Sequence, residues 1–252
     1  MNAEYPVEHG ERSGTSIILL HGGNVGNWMW EPQVQTLPGR HLITPDVIGF
    51  NTRAAEHWPG LAGAADDIAR IIRERAVGGR AHVVGLSMGG VIGVHLAARH
   101  PDIVLSCMVT GAMMVGLRGR QRWLAEQQLK GWDRRWFWQM QAAMFRIPAD
   151  SREQFIAAGM AVTKDTAHRM YGEVFDGSMP GGTFAYTGPM LAIAGGREPK
   201  DVQRAFPALR RAMPQTRTWV APGMRHVWSV QDPELFTRTI IDFVDCDVVP
   251  DP

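Results

Sequence analysis

Residues 85–89 read Gly-Leu-Ser-Met-Gly, which is the pattern G-x-S-x-G. An apolar run, Ala81 to Leu86, precedes the serine, and a helical pattern follows it without a gap. A nucleophilic serine on a strained strand-to-helix turn has this context, because only small neighbours avoid collision there. The pattern therefore predicts that Ser87 is a nucleophile. The alternative is a surface serine at a glycine-rich strand end.

A serine hydroxyl is a weak nucleophile near neutral pH, so it needs a base within hydrogen-bond reach and a carboxylate that orients the base. Of the nine histidines, His226 alone lies beyond the last predicted strand. Its loop can reach over the carboxyl edge of the sheet, and we predict that His226 is the base. His21 follows the first predicted strand and is expected to shape a loop instead.

Two carboxylates follow the predicted strand Met190 to Ala194. Glu198 comes three residues after Gly195, where the orienting acid is expected. Asp201 is expected to begin the next helix. We therefore favour Glu198 as the acid and keep Asp201 as the alternative.

The tetrahedral intermediate of acyl transfer needs donors for its oxyanion, usually backbone N–H groups. Met88, which follows the nucleophile, can supply one N–H, and the loop after the first strand can supply another, with Gly23 favoured. The alternative is that the Gly22-Gly23 pair only forms a turn. No step of this chemistry requires a metal ion or an organic cofactor.

Short apolar runs alternate with amphipathic stretches, which is typical of strands buried on both faces of a parallel sheet. The predicted strands are Ser16 to Leu20, His41 to Pro45, Ala81 to Leu86, Ile103 to Val109, Met190 to Ala194 and Thr216 to Val220. The predicted helices include Leu61 to Val77, Met88 to Arg99 and Pro233 to Val244. The fold class is α/β, with a doubly wound, mostly parallel sheet. Residues 1–111 and 187–252 are predicted to form its core.

Residues 112–186 are far longer than one crossover needs, so they are predicted to be an inserted helical cap. One apolar stripe within them is expected to pack the cap onto the core, at Leu129, Trp132, Trp136, Met140 and Met144. Trp123 and Trp138 lie off that stripe and are predicted to contact substrate. The same role is predicted for three tryptophans near the catalytic loops: Trp28, Trp30 and Trp228.

The composition limits the partners. The chain has 252 residues and a formal charge of +1, so no overall field draws it to nucleic acid or to an anionic membrane. Seven basic residues between Arg118 and Arg146 are expected to form a solvated helix face or to steer an anionic substrate. Two cysteines exclude a four-cysteine zinc site, and we expect a cytoplasmic protein with a small-molecule substrate. The sequence leaves open whether the protein forms a homodimer.

Taken together, these motifs resemble those of the alpha/beta-hydrolase superfamily, in its small cap-bearing esterase and lactonase type. The resemblance covers nearly the whole chain and rests on four segments: His21-Gly22-Gly23, Asp46 to Gly49, the turn at Ser87, and Pro222 to Glu234. It implies a triad of Ser87, Glu198 and His226 beneath a mobile cap.

Three features depart from the family's pattern. The acid is Glu198 where most relatives have Asp, and Arg225 precedes the base where Gly is common. The N-terminal segment is short, so the usual leading antiparallel hairpin is expected to be one short strand or missing.

We therefore interpret the protein as a serine hydrolase that cleaves a small ester or lactone through an acyl-enzyme on Ser87. The many tryptophans favour an apolar or aromatic substrate. Three related activities use the same residues: thioester hydrolysis, carbon–carbon bond hydrolysis and cofactor-free perhydrolysis. A hydrolase-fold receptor with little turnover is an alternative of a different class.

Overall fold

The computed structural model describes residues 5–37 and 39–248. Its strands are β1 Val7–His9, β2 Ser16–Leu20, β3 His41–Thr44, β4 Ala81–Leu86, β5 Val104–Thr110, β6 Met190–Gly195 and β7 Thr216–Ala221. Within those residues they form one sheet of seven strands in the order β1-β3-β2-β4-β5-β6-β7. All strands from β2 onward are parallel, and β1 is antiparallel to β3.

The helices are α1 Glu31–Thr36, α2 Gly60–Arg75, α3 Met88–Arg99, α4 Gly119–Leu129, α5 Arg135–Met144, α6 Arg152–Ala161, α7 Lys164–Asp176, α8 Lys200–Gln203, α9 Ala205–Ala212, α10 Trp228–Gln231 and α11 Pro233–Cys246. The start of α11 is fixed by its first residues. Asp232 accepts a hydrogen bond from the Leu235 N–H at 2.9 Å, and Pro233 follows it as the first helical residue. Side-chain capping and a proline at this position both favour a helix start.

The sheet is buried on both faces, as a doubly wound fold requires. All five residues of β2 are buried, and its four apolar residues alternate between two hydrophobic clusters. Ile18 and Leu20 face the cluster that includes the apolar sides of α2 and α3. Ile17 and Leu19 face the cluster that includes Trp30 and residues of α11. This alternation has the period of two that a strand imposes on its side chains.

The predicted fold class is confirmed. All six predicted strands are present, with ends that differ by at most one residue. The leading strand β1 has three residues and is the antiparallel edge strand beside β3. No helix within residues 5–37 and 39–248 combines the length and the hydropathy that a membrane crossing needs.

Helices α4 to α7 lie between β5 and β6, within the predicted insertion. The two ends of this segment meet. The Leu117 N–H donates to the Phe175 carbonyl at 2.9 Å, and the Ser178 N–H donates to the Met114 carbonyl at 3.2 Å. The two chain segments that connect these helices to the sheet therefore lie side by side.

The predicted apolar stripe is wrong. Helix α4 ends at Leu129 and α5 begins at Arg135, so the spacing of three and four residues does not follow one helix. Leu129 and Trp132 are buried, but three members are exposed by about half or more: Trp136 at 59%, Met140 at 48% and Met144 at 58%. Periodicity assigns residues to a common face only while the helix is continuous.

Candidate active site

Ser87 occupies a sharp turn between β4 and α3. Its backbone has φ +55° and ψ −117°, a conformation that L-residues rarely adopt. The flanking glycines explain how the turn fits. A Cβ on Gly85 would lie 2.3 Å from the Gly89 carbonyl oxygen, and one on Gly89 would lie 2.2 Å from the Leu20 carbonyl oxygen. The first turn of α3 therefore packs against the sheet at a distance that excludes any side chain.

His226 and Glu198 form the central polar pair. The His226 Nδ1–H donates to Glu198 Oε1 at 2.5 Å. The other carboxylate oxygen, Oε2, accepts the Gly195 N–H at 2.6 Å, which orients the carboxylate. The Glu198 side chain is 1% exposed and the His226 side chain 27%. With its proton on Nδ1, the imidazole keeps Nε2 as an acceptor, which is the form that a general base needs.

Asp201, the alternative acid, lies elsewhere. It is in the first turn of α8 and pairs with Arg204 at 2.6 Å. Of the two carboxylates that follow β6, the structure brings only Glu198 against His226.

The loops that carry the pair are bonded to each other. The Gly196 N–H donates to the Ala221 carbonyl, and the Arg197 N–H donates to the Met224 carbonyl, both at 2.8 Å. A Cβ on Gly195 would lie 2.6 Å from the Met224 carbonyl oxygen. The Arg225 N–H donates to Gln231 Oε1 at 2.9 Å. The acid and the base are therefore held in place by the main chain.

The end of β5 joins this pair to the serine turn. The Ser87 N–H donates to the Thr110 carbonyl at 2.8 Å. The next residue, Gly111, has φ +64°, and a Cβ there would lie 2.9 Å from His226 Cε1 and 3.3 Å from Glu198 Oε1. Gly111 therefore lies against both His226 and Glu198, and the residue before it accepts the Ser87 N–H.

His21 and Asp46 hold the loop after β2 in place through hydrogen bonds. The His21 Nδ1–H donates to the Gly22 carbonyl at 2.7 Å, and Nε2 accepts the Val47 N–H at 2.9 Å. Burial lowers the pKa of His21, which favours the neutral ring that this acceptor role requires. Asp46 accepts the Asn27 N–H at 2.8 Å. As predicted, His21 shapes a loop.

Gly23 and Met88, the predicted oxyanion donors, lie close together. The Cβ position of Gly23 is 4.0 Å from the Met88 Cβ, and that of Gly22 is 3.5 Å from the Ser87 Cβ. The loop after β2 therefore faces the serine turn, with Met88 as the first residue of α3. An anion beside Met88 would also benefit from the positive end of this helix.

The insertion reaches the site through residues that the sequence did not single out. The Phe145 ring lies 5.7 Å from the His226 ring. The Met170 Cε lies 3.4 Å from the Cβ position of Gly23, and the Tyr171 hydroxyl accepts a hydrogen bond from Asn24 Nδ2 at 2.9 Å. No spacing in the sequence distinguishes these residues from other apolar residues of the insertion.

Two predicted substrate contacts near the catalytic loops need correction. Trp30 is fully buried against Phe236, at 5.8 Å between ring centroids. Trp228 is fully buried against the same ring at 4.5 Å, and its Nε1–H donates to Thr110 Oγ1 at 2.8 Å. Both indoles pack in the core that supports the site. Trp28 is half-buried at the margin of both clusters, so it remains a candidate contact.

Of the insertion's own two candidates, Trp123 stays a prediction and Trp138 needs correction. Trp138 is 1% exposed, and its ring lies edge-to-face on Trp132 at 4.7 Å. A Cβ on Gly159 would lie 2.4 Å from the Trp138 ring, so this indole fills the core of the insertion. Trp123 is 57% exposed on α4. Large indoles contribute most when they are buried, which explains why three of the five predicted tryptophans serve packing.

Within the described ranges, no group of three or more His, Cys, Asp or Glu side chains is arranged to hold a metal ion. A groove of about 520 Å³ lies between the start of α2 and α7, and Trp58, His168 and Glu173 are among its lining residues. Its lining includes none of Ser87, Glu198 and His226.

Residues 17–239 match the family described as "Alpha/beta hydrolase family". The chain belongs to this family. The fold agrees with an esterase of Exiguobacterium antarcticum, whose structure superposes with a TM-score of 0.80 over 95% of this chain and 94% of that one, at 19% identity.

Curated relatives are of two kinds. A pimeloyl-[acyl-carrier protein] methyl ester esterase of Vibrio vulnificus is 24% identical over 251 residues, covering 91% of this chain and 94% of the relative. An AB hydrolase superfamily protein of Gibberella zeae is 37% identical over 100 residues, which cover 39% of this chain and only 36% of that protein.

The contact at Gly111 generates a prediction. Gly111→Ala places a methyl group against both His226 and Glu198, so we expect kcat for an ester to fall about 100-fold through displacement of the pair. The control is Gly78→Ala. Gly78 has the same φ of +64° but nothing within 4 Å of its Cβ position, so it carries the backbone strain without the contact. Equal kcat in the two variants would refute the role of Gly111.

Proposed function

We propose that this protein is a serine hydrolase that cleaves a small apolar or aromatic ester through an acyl-enzyme on Ser87. The observation that carries the proposal is the hydrogen bond between His226 and the buried Glu198, taken together with a serine on a strained turn. A surface histidine would not need a buried carboxylate held by the Gly195 N–H. The pair therefore favours a general base in a serine triad.

In the proposed mechanism, the Ser87 Oγ attacks the carbonyl carbon while His226 Nε2 takes the hydroxyl proton. The carbonyl π-electrons move to oxygen, and the N–H groups of Gly23 and Met88 stabilise the oxyanion. Collapse of the intermediate breaks the bond to the alcohol, which leaves with the proton from His226. A water molecule, deprotonated by His226, then attacks the acyl carbon. Collapse of this second intermediate breaks the bond to the Ser87 Oγ, which takes the proton back from His226, and the acid is released.

Glu198 acts on His226 and not on the substrate. It holds Nδ1 and stabilises the imidazolium that forms twice in each cycle, while it stays ionised. The backbone donors stabilise the oxyanion, and one such donor lowers the barrier by about 3 to 4 kcal/mol. Both effects grow where water is excluded, and the side chain of Glu198 is 1% exposed.

Apolar side chains near the site favour an apolar or aromatic substrate. Phe145 lies beside His226, and Met170 lies beside Gly23. Both belong to residues 112–186, which we propose to be the cap. The esterase names of the Vibrio and Exiguobacterium proteins support an ester as substrate. A lactone is the alternative within the same chemistry, because its ring opens through the same acyl-enzyme.

Covalent labelling tests the proposal. A fluorophosphonate probe is expected to modify Ser87, and the label is expected to disappear in Ser87→Ala while the circular dichroism spectrum is unchanged. The control is Ser106→Ala, because Ser106 also contacts a histidine, His82, at 2.8 Å. This variant is expected to label fully. Labelling that survives in Ser87→Ala, or a wild type that does not label, would contradict the proposal.

The role of Glu198 is tested separately by a pair of amide substitutions. Glu198→Gln is expected to lower kcat on the order of 10⁴-fold. A neutral amide does not fix the proton of His226 on Nδ1 and does not stabilise the imidazolium as a carboxylate does. Asp201→Asn removes only a charge paired with Arg204 near the surface and is expected to leave kcat nearly unchanged. Steady-state kinetics on one activated ester compares the two. The reverse ranking would move the acid to Asp201.

A further inference from the structure

The Tyr171 hydroxyl links the insertion to the loop after β2. Tyr171 lies on α7, and its oxygen accepts a hydrogen bond from Asn24 Nδ2 at 2.9 Å. Asn24 is 9% exposed and directly follows Gly23, the proposed oxyanion donor. Its φ of +67° is in the left-handed region, which asparagine tolerates better than most residues. The contact therefore holds an unusual backbone conformation beside the donor.

The space above Gly23 is occupied by α7. A Cβ on Gly23 would lie 3.4 Å from Met170 Cε, 3.8 Å from the Tyr171 hydroxyl oxygen and 4.0 Å from the Met88 Cβ. The hydroxyl and Met88 therefore approach the same side of Gly23. The insertion therefore contacts the loop after β2 at Gly23, on the side where Met88, the other proposed oxyanion donor, also lies.

The other polar atom of the Asn24 side chain, Oδ1, is buried and has no hydrogen-bond partner within residues 5–37 and 39–248. Leaving a buried acceptor without a partner costs about 1 to 3 kcal/mol, so the position is not explained by stability alone. Burial raises the pKa of Tyr171, so the phenol stays protonated at neutral pH and can accept this bond while it keeps its proton.

The Tyr171 ring is itself fixed. Trp132 packs against it edge-to-face at 5.6 Å, and Phe175 lies 5.7 Å away. Glu173, two residues along the same helix, accepts the Trp58 Nε1–H at 2.8 Å and the Leu61 N–H at 2.9 Å. Helix α7 is thereby fastened to α2 of the core, and the hydroxyl has a defined place above the loop.

We infer that Tyr171 is a positioning residue of the oxyanion hole. Through its hydrogen bond with Asn24 it sets the direction of the Gly23 N–H, and it makes the insertion part of the catalytic apparatus rather than only a cover. This inference rests on the proposed function. Because the oxyanion exists only after attack, the loss of this bond should lower kcat and leave substrate affinity largely unchanged.

The test removes one oxygen atom. Tyr171→Phe keeps the ring packed and is expected to lower kcat for an acetate ester about 10- to 100-fold, less than or equal to the loss of a whole donor. KM is expected to stay within about twofold, as for an interaction made only after attack. The matched control is Tyr186→Phe, which removes another largely buried hydroxyl that donates to the Pro189 carbonyl at 2.9 Å. It is expected to keep wild-type kcat.

A second variant tests the route through Asn24. Asn24→Gly removes the amide, and glycine tolerates the left-handed backbone. If the hydroxyl acts through Asn24, the double variant loses no more kcat than the more affected single variant. Phenylboronic acid forms a tetrahedral adduct on an active serine. Its affinity for the Tyr171→Phe variant is expected to fall by the same factor as kcat/KM.

Two outcomes would overturn the inference. Tyr171→Phe could keep wild-type kcat, whether or not KM rises, or its loss of kcat could add fully to that of Asn24→Gly. Unchanged kcat and boronate affinity with a lower melting temperature would assign Tyr171 to packing. Fluorophosphonate labelling of Ser87 separates the two proposals, because label in the wild type with no effect of Tyr171→Phe leaves the hydrolase intact and removes only this inference.

Discussion

Close approach of the main chain at the carboxyl edge of the sheet is the constraint on which the site depends. Four glycines there face atoms that exclude even a Cβ: Gly85, Gly89, Gly111 and Gly195. The first two admit the serine turn, and the other two admit His226 and the loop that carries it. Since neighbouring parallel strands end at one edge, groups far apart in the chain reach each other there with little freedom.

The polar groups at this edge are held by backbone atoms. Glu198 is a buried carboxylate that accepts one main-chain N–H and one imidazole N–H, which offsets part of its desolvation. His21 likewise joins two loops through its two ring nitrogens. Such fixed donors and acceptors need no rearrangement as charge develops in a reaction, which is the physical basis of electrostatic catalysis.

Much of this arrangement could be predicted from the sequence because its signals are local. The run Ser16–Leu20 indicated a buried strand by its composition, and Ser87 was indicated by its glycine neighbours. Glu198 was favoured over Asp201 by its offset from Gly195. Tertiary packing explains the failures. The indole of Trp138 fills the insertion, and Met140 is exposed because no single helix joins it to Trp132. Phe145 and Tyr171 reach the site through folding of the insertion, which no spacing reveals.

Catalysis is proposed to pass through an ester on Ser87, and rapid quenching tests this most directly. Mixing the protein with a molar excess of p-nitrophenyl acetate should give a burst of p-nitrophenol of about one equivalent, if deacylation is slower than acylation. Mass spectrometry of the quenched protein should then locate an acetyl group on Ser87. An acetyl group found instead on exposed Cys246, or a burst with no acetyl group on Ser87, would contradict the account.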